Sequence, residues 1–450
     1  CRARGVAVYE AHCLSHGDAL PFLPILQIFR AYFGIREHDP PAEARRRIAG
    51  TLLLLDERFR EVLPVVFDFL GVPDPERPPP RMDPEVRQRQ LLAFIAELMR
   101  ARSAREPAVL LFDDLHWIDR SSDTVLGQVI PSSGRTRTLV LLNFRPEYHA
   151  DWMTRPDYQQ VALRPLGSEA TAELLRELLG SDPSLAPLTT RLHERAGGNP
   201  FFAEELVRSL AEAGTLSGTP GNYTLRGDAE GVAIPATVQS LLAARIDRLP
   251  ENDKEALEAA AVIGKEFGEP LLRAVIAASS RGAAIGAELP PILDRLARAE
   301  LIVERALYPE AEYAFRHPLV QEVAYRSQLG ERRARTHARV AQALEQQYAA
   351  SLDERAPLLA HHREAAGEML AALRWHARAG AWFANRDLMQ SFGHHQRVRA
   401  LVPHVPESTE TLTLGARACA SILQIGWRGV LPFDEYPAVL AQGRDWAERS

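Results

Sequence analysis

Two adjacent carboxylates are the sharpest chemical feature of the sequence. Asp113 and Asp114 follow the apolar run AVLLF at 108–112, which has the length and composition of a buried strand. In open α/β sheets, ligands bind at the carboxyl ends of the strands. There the first acid can hold Mg²⁺, usually through water, and the second can orient or deprotonate an attacking water. An ordinary strand that ends in a polar turn explains the same two residues, so this motif alone leaves both interpretations open.

A second pair of polar side chains follows another apolar run. Asn143 and Arg145 lie at the tip of the strand predicted over 139–144. The planar guanidinium of an arginine donates two parallel hydrogen bonds to phosphate. This strand tip is therefore a candidate contact for a terminal phosphate, with a solvated arginine at a turn as the alternative.

The third feature is the sequence GGNPFFAEEL at 197–206. Glycines let a backbone approach a ligand closely, and Pro200 with the following phenylalanines offers a flat apolar surface for a nucleotide base. The same residues also make a sound helix C-cap followed by a proline that starts a new helix. Their composition alone does not separate the two interpretations.

These residues must be positioned by the elements around them. Over the first 165 residues, short apolar runs alternate with helical patterns, which predicts βαβ units and a parallel sheet. The predicted strands are 6–9, 109–112 and 139–144. Their near-continuous apolar character is typical of strands that are covered on both faces. The two charged strand ends are therefore expected at the same edge of one sheet.

The rest of the chain reads as helical. Residues 214–231, rich in Gly, Thr and Ser, form a linker or a hairpin, and several helices then precede two β-like runs at 301–303 and 313–315. That order is a winged-helix pattern. Beyond 330, amphipathic Ala/Leu-rich helices suggest stacked hairpins of the tetratricopeptide (TPR) kind. We predict an α/β core followed by an all-α region, with these boundaries: 1–165 α/β core, 166–232 helical lid, 233–330 winged-helix-like domain and 331–450 TPR-like repeats.

The composition of the chain argues against several classes of protein. The chain has 450 residues and a net charge of −6, whereas a protein that coats nucleic acid should be basic. Three scattered cysteines, Cys1, Cys13 and Cys419, are too few for a disulfide framework or a zinc site. No apolar run reaches membrane-helix length and no signal peptide is present, so a cytoplasmic location is expected. The first residue is Cys1 and both ends fall inside predicted elements, so we expect a window from a longer polypeptide.

Taken in order, the three features resemble the signal-transduction ATPases with numerous domains (STAND), a branch of the P-loop ATPases. The resemblance is nearest to the ATPase region of proteins related to adenylate or guanylate cyclases and of ATPase-type transcriptional regulators. It covers about residues 5–350 and continues through further motifs: IPATVQ at 234–239, RIDRL at 245–249, AAVIGKEF at 260–267 and FRHPLVQEVAY at 315–325.

The resemblance implies ATP or ADP as ligand, with Mg²⁺. It assigns Asp113 to the Walker B acid that holds the metal and Asp114 to the catalytic acid. Arg145 corresponds to the phosphate sensor, and Pro200 to the lid proline that touches adenine. His317 falls where a winged-helix histidine can contact the β-phosphate of ADP, although a histidine before a proline is also a common helix cap.

One large departure from the family pattern is visible. The phosphate-binding loop G-x-x-x-x-G-K-[ST] does not occur in the sequence, and Gly264-Lys265 is followed by Glu266 without the upstream glycine. Because that loop supplies the amide cradle and a lysine for phosphate, the chain by itself should be a poor ATPase. We expect truncation, with the run at 5–10 as the strand that follows the loop and its helix.

Two functions from different classes fit these patterns. The first is an ATP/ADP-binding regulatory switch within a signalling protein, whose helical repeats bind protein partners. Its output domain, a cyclase or a DNA-binding domain, would lie elsewhere in the polypeptide, and this part of the chain would not bind nucleic acid or a membrane. The alternative is a non-catalytic helical-repeat scaffold with a degenerate ATPase core.

Overall fold

The structure is a computed structural model, and it describes residues 1–13, 22–36, 39–80, 82–229, 231–306, 310–349, 351–428 and 430–450. In chain order the first elements are β1 (Ala7–His12), α1 (Leu23–Phe33), α2 (Pro41–Leu55), α3 (Leu63–Phe69), α4 (Pro84–Arg105), β2 (Ala108–Asp113), α5 (Arg120–Ser133) and β3 (Thr138–Leu142). The next are α6 (Ser168–Leu179), α7 (Ala186–Ala196), α8 (Pro200–Glu212), β4 (Leu216–Thr219), β5 (Asn222–Leu225), α9 (Val238–Asp247), α10 (Glu251–Ile263), β6 (Glu266–Gly268), α11 (Glu269–Ala277), α12 (Gly282–Ala287), α13 (Leu289–Arg298), β7 (Ile302–Ala306), β8 (Glu312–Phe315), α14 (Pro318–Arg326) and α15 (Gly330–Gln347). The last are α16 (Ala356–Ala365), α17 (Met369–Phe383), α18 (Leu388–Leu401), α19 (Thr409–Gly426) and α20 (Tyr436–Arg449).

The chain divides into two compact units. The first unit consists of residues 1–158 together with 344–450, and the second unit of residues 159–343. The predicted order of an α/β part followed by helices is confirmed, because the only parallel sheet among the described residues lies before α6.

A three-stranded parallel sheet organises the first unit. Its order is β1-β2-β3, with Ala7 opposite Ala108 and Ala108 opposite Thr138. The central strand β2 carries the apolar run found in the sequence, and its Phe112 is 2 % exposed. Aromatic and aliphatic side chains of α1, α2, α4 and α5 pack around the sheet. Because the three strands run parallel, their carboxyl ends lie at the same edge of the sheet.

The strand ends differ from the sequence expectation in two ways. β1 runs on to His12, three residues beyond the predicted end, whereas β3 stops at Leu142, so that Asn143 lies just after it. The expectation that every strand is covered on both faces is wrong for β3. Its Leu139 and Leu141 are 59 % and 51 % exposed, while the alternate Val140 and Leu142 contact the core.

The C-terminal helices belong to the same unit. From α16 to α20 each helix packs on the next, around a core that includes Leu373, Val398 and Ile422. Small residues permit close packing: a Cβ on Gly415 would lie 2.6 Å from the ring of Trp446. These helices also contact the residues around the sheet. Arg386 pairs with Asp68 at 3.0 Å, Arg428 pairs with Asp83 at 2.9 Å, and Asp387 accepts a hydrogen bond from Ser121.

The second unit contains two small antiparallel sheets. The segment predicted as a linker or hairpin is a hairpin, formed by β4 and β5. The two β-like runs near 302 and 314 pair as predicted, but a third strand, β6, joins them in the order β6-β8-β7. β6 has only three residues, Glu266–Gly268, too few to produce a recognisable alternation.

The structure of this region accounts for the Gly264-Lys265 dipeptide noted in the sequence. These residues connect the end of α10 to β6, and Gly264 has a positive φ of 155°. The backbone oxygen of Lys265 accepts a hydrogen bond from the N–H of Phe315 at 2.9 Å. A phosphate-binding loop connects a strand to the helix that follows it, whereas this dipeptide connects a helix to the strand that follows it. Gly264-Lys265 therefore has a structural role.

A buried ion cluster joins two of the sequence motifs in the second unit. Arg245 and Glu205 have side chains only 2 % exposed and form a salt bridge. Arg245 also donates to Glu212 at 2.5 and 3.0 Å and to the backbone oxygen of Ala299 at 2.8 Å. Glu205 accepts a further hydrogen bond from Arg208. The cluster therefore ties α8 to α9 and to the turn before β7.

Within the described residues, no helix combines the length and the apolar character needed to cross a bilayer.

Candidate functional site

The carboxyl ends of the three parallel strands bring polar side chains together. In the β1–β2 register, His12 lies opposite Asp113, and its Nδ1 is 3.2 Å from Asp113 Oδ2. Asn143, just beyond β3, donates from Nδ2 to Asp113 Oδ1. The Asp113 carboxylate is thus held between an imidazole and an amide from its two neighbouring strands.

Asn143 also shapes the turn after β2. Its Oδ1 accepts a hydrogen bond from the backbone N–H of Asp114 at 2.7 Å, and its backbone oxygen accepts one from Leu115 at 2.8 Å. Asp114 adopts a left-handed conformation with φ of 57°, which is unfavourable for most side chains but tolerated by aspartate. The amide of Asn143 therefore stabilises the backbone that presents both acids.

Arg145 lies at the same edge of the sheet as Asp113, as the sequence predicts, since both follow the carboxyl ends of adjacent parallel strands. It is exposed, and its guanidinium carbon lies 5.5 Å from the centre of the Trp117 ring. Such stacking restricts a long side chain without using its hydrogen-bond donors. Arg145 is consequently held near the turn with donors available for an anion.

His116 is a residue of this turn that the sequence did not single out. Its ring packs against that of Trp117, with centroids 4.4 Å apart. Burial, followed by the nearby charge of Arg145, lowers the pKa of His116, so the imidazole is neutral at pH 7. Neither ring nitrogen has a hydrogen-bond partner within the described parts of the chain.

Asp119 is a second residue that sequence reasoning passed over. It is 1 % exposed, and its Oδ1 accepts hydrogen bonds from the backbone N–H groups of Ser122 at 2.9 Å and Phe22 at 3.1 Å. Burial raises the pKa of this carboxyl. Asp119 caps α5 and ties the turn after β2 to the start of α1; the available signal was an aspartate directly before a helical pattern.

In the second unit, the GGNP sequence joins α7 to α8. Gly197 and Gly198 have φ of 55° and 78°, and a Cβ on Gly198 would lie 2.5 Å from the backbone oxygen of Leu166. Asn199 caps α8 by accepting from the N–H of Phe202 at 3.1 Å, and Pro200 is the first helical residue. Local backbone packing therefore requires the glycines, which agrees with the structural interpretation of the motif.

His317 lies next to this motif. Its Nδ1 accepts a hydrogen bond from the N–H of Leu319 at 3.1 Å, so it caps α14. Its ring stacks on Phe201, with centroids 4.0 Å apart and an interplanar angle of 12°. The fold of the second unit thus brings together Pro200 and His317, which are far apart in sequence, and it adds Phe201, which sequence reasoning left without an individual role.

The donor set around Asp113 suits a hard divalent cation. The carboxylate side chain is 30 % exposed, so a hydrated ion can reach it, and Mg²⁺ binds carboxylate oxygens while keeping several waters. Asp113 is the residue that would hold the ion. The amide cradle for phosphates has no counterpart in the sequence, as shown above.

Comparison with known proteins gives matches to two domain families, to a bacterial relative and to a solved structure. Residues 1–142 match the family described as AAA ATPase domain, and residues 167–216 match a domain family of unknown function. An uncharacterized protein of Rhizobium meliloti (strain 1021) is 29 % identical over 331 residues, covering 72 % of this chain and 31 % of that protein. A solved structure of a STAND protein with a tetratricopeptide repeat sensor from Pyrococcus horikoshii has 10 % identity and a TM-score of 0.41, covering 99 % of this chain and 62 % of that one.

The first match confirms the resemblance at the level of the domain. Residues 1–142, which include β1, β2 and β3, are similar to the AAA ATPase domain. The chain spans less than a third of the length of the Rhizobium meliloti relative.

Proposed function

We propose that the chain is the regulatory ATPase region of a STAND-type signalling protein, in which ATP and ADP binding controls conformation. One observation carries the proposal: within the segment that matches the AAA ATPase domain, His12 and Asn143 hold Asp113 at the carboxyl edge of a parallel sheet. This edge is where α/β sheets bind ligands. The STAND class rests on the ordered set of sequence motifs.

Each residue of the strand-end site receives a role. Asp113 holds Mg²⁺, which neutralises phosphate charge when bound. Asp114 orients or deprotonates the attacking water. Arg145 binds the terminal phosphate through its guanidinium, and Asn143 positions both acids through its amide.

The family resemblance implies two further nucleotide contacts, at Pro200 and at His317. The Pro200 and Phe201 surface offers a flat apolar platform for adenine. His317 donates from its imidazole to the β-phosphate of ADP, while its Nδ1 keeps its place as the cap of α14. These two assignments come from the family resemblance, and the stacked Phe201 and His317 rings support them.

The proposal requires a phosphate-binding loop, which residues 1–450 do not contain, and we propose that a longer polypeptide supplies it. Two observations support a further strand beside β3. Among the described residues β3 pairs with β2 alone, and its Leu139 and Leu141 are exposed. The helical repeats are proposed to bind protein partners, and a cyclase or a DNA-binding domain is proposed as the output. The alternative function, a non-catalytic scaffold, is favoured only by the missing loop.

The test uses the longer polypeptide that contains a phosphate-binding loop. Asp114→Asn should bind ATP as the wild type does but hydrolyse it at least ~10²-fold more slowly, the scale of a lost general base. Binding is measured by calorimetry and hydrolysis by phosphate release. The matched control is Asp151→Asn, an exposed aspartate of the same unit, which should change neither quantity.

Two results would contradict the proposal. Near-normal turnover of Asp114→Asn would show that this residue does not activate water. A wild-type polypeptide that binds neither ATP nor ADP would support the scaffold instead.

A further inference from the structure

An apolar cavity of about 70 Å³ lies in the first unit, between one face of the parallel sheet and the helices α1, α4 and α5. Its wall includes Phe29 of α1, Leu98 of α4, Phe112 of β2 and Leu126 of α5, all of which are buried. The cavity exceeds the ~10–15 Å³ that one water needs, but a buried water also requires several polar partners. The wall is mainly hydrocarbon, so the cavity suits a small apolar group better than a group of waters.

Half-buried side chains line the outer side of this cavity. Ile28 and Tyr32 belong to α1, Met99 belongs to α4, and Tyr9 belongs to β1. Because these side chains are partly exposed, a small molecule has a route into the cavity between α1 and α4. The core itself does not have to open.

Arg102 brings a charged group to this mainly apolar wall. It lies in the last turn of α4 and is 8 % exposed. Its Nη2 donates to Glu106 Oε1 at 3.3 Å and to the backbone oxygen of Pro107 at 3.5 Å. Its Nε is buried and has no hydrogen-bond partner in the part of the chain that the structure describes. Since a buried donor without an acceptor is costly, this N–H is the group that a ligand would satisfy.

The charge of Arg102, in contrast, is already compensated. Glu106 forms a salt bridge with it, and the guanidinium carbon lies 5.2 Å from the centre of the Tyr9 ring and 6.0 Å from the centre of the Tyr32 ring. The neighbouring Arg105 donates to two backbone oxygens at the end of α2, where the helix dipole favours a positive charge. The cavity therefore lacks an acceptor oxygen for Arg102 and does not need a further negative charge.

We propose that this cavity binds a small neutral carbonyl compound, a short-chain ketone, ester or amide. The carbonyl oxygen would accept the Nε–H of Arg102, and the hydrocarbon part would lie against Phe29, Leu98 and Phe112. Phe112 belongs to β2, the strand that ends in Asp113. The ligand would thus contact the strand that presents the strand-end site, from the side of the helices.

The cavity site does not depend on the proposed nucleotide function, so residues 1–450 can be tested without ATP or Mg²⁺. Butan-2-one is the probe. Two molecules of the same shape serve as matched probes: 2-methylbut-1-ene lacks the acceptor oxygen, and propionate carries a negative charge. Affinities are measured by ligand-observed NMR titration, with thermal unfolding as a second readout because a ligand of the native state raises the midpoint.

Butan-2-one should bind, and Arg102→Met should weaken its binding about 10- to 100-fold, the loss expected for a hydrogen bond to a charged group. 2-Methylbut-1-ene accepts no hydrogen bond from Arg102, so the same variant should leave its affinity unchanged. The difference between the two probes separates a lost hydrogen bond from an altered cavity shape. The control is Arg58→Met, which changes an exposed arginine of the same unit that is paired with Asp56, and it should leave both affinities unchanged.

Ile28→Phe tests the apolar wall separately, because it fills the cavity from α1 and keeps all charges. It should weaken the binding of both neutral probes. The proposal is overturned if butan-2-one does not bind the wild type, or if propionate binds more tightly than butan-2-one. It is also overturned if a folded Ile28→Phe protein binds butan-2-one as well as the wild type does, or if Arg102→Met changes the affinities for both neutral probes by the same factor.

Discussion

Replacing Arg245 by methionine should destabilise the second unit and leave the first unit intact. The guanidinium is 2 % exposed and compensates Glu205, which is equally buried. Removing one partner of a buried pair costs about 3–5 kcal/mol, since the other charge stays desolvated. Arg208 still neutralises Glu205 in the variant, and Glu212 is 38 % exposed and can be hydrated. The expected loss is therefore at the lower end, about 3 kcal/mol.

Two further variants isolate the effect. Arg326→Met removes an exposed arginine that pairs with Glu322 within α14 of the same unit, and an exposed helix pair contributes only about 0.3–0.5 kcal/mol. The double variant Arg245→Met with Glu205→Leu replaces the buried pair by apolar side chains, which is often neutral. The double variant should therefore be more stable than Arg245→Met alone.

The two units can be followed separately in one urea titration. All six tryptophans lie outside residues 159–343, so tryptophan fluorescence reports on the first unit. Hydrogen exchange of peptides from α8 and α9 reports on the second unit. The reasoning is refuted if α8 and α9 are as well protected in Arg245→Met as in Arg326→Met, or if the double variant is no more stable than Arg245→Met.

Two other predictions concern histidines. Burial, followed by the charge of His376, lowers the pKa of His394 to about 3, and burial lowers the pKa of His395 to about 4. The Nδ1 atoms of His394 and His376 lie 2.9 Å apart, and His376 Nε2 lies 3.0 Å from Glu364 Oε2. Because these histidines bind protons below about pH 6.5 in the unfolded chain, the free energy of unfolding should fall from pH 6.5 towards pH 4. His394→Gln should reduce this pH dependence by up to about 1.4 kcal/mol per pH unit in urea denaturation. An unchanged pH dependence would exclude His394 as its source. In the longer polypeptide, His317→Asn keeps a capping acceptor but removes the imidazole, so ADP should dissociate about 10- to 100-fold faster in stopped-flow measurements. Equal rates would leave His317 only its role as a helix cap.

Much of the strand-end site could be predicted because its signals are local. Three apolar runs predicted the three strands. Because parallel strands place their carboxyl ends at one edge of the sheet, Asp113 and Arg145 were expected to lie close together. The ends themselves were less predictable. Asn143 was expected in the strand tip, but β3 stops at Leu142, and its amide is therefore available to bind Asp113 and the backbone of Asp114.

The partners that hold these residues could not be read from the sequence, because each contact depends on tertiary structure. His12 reaches Asp113 only through the β1–β2 register, across 101 positions of sequence. The stacking of Phe201 on His317 likewise depends on packing within the second unit. Asp119 did carry a local signal, but the bond from Phe22 to its carboxylate gives it a second function that no pattern indicates.

The motif at 197–206 shows why composition alone left two interpretations open. Gly197, Gly198 and Asn199 are accounted for by backbone conformation and helix capping, so they give no support to a ligand. Glu205, at the other end of the motif, forms a buried salt bridge with Arg245 of the RIDRL sequence, which gives a structural reason for both sequences to occur in one chain. Pro200 is likewise accounted for as the first residue of α8, so the nucleotide contacts proposed for this unit rest on the family resemblance, with the stacked Phe201 and His317 rings as their structural support.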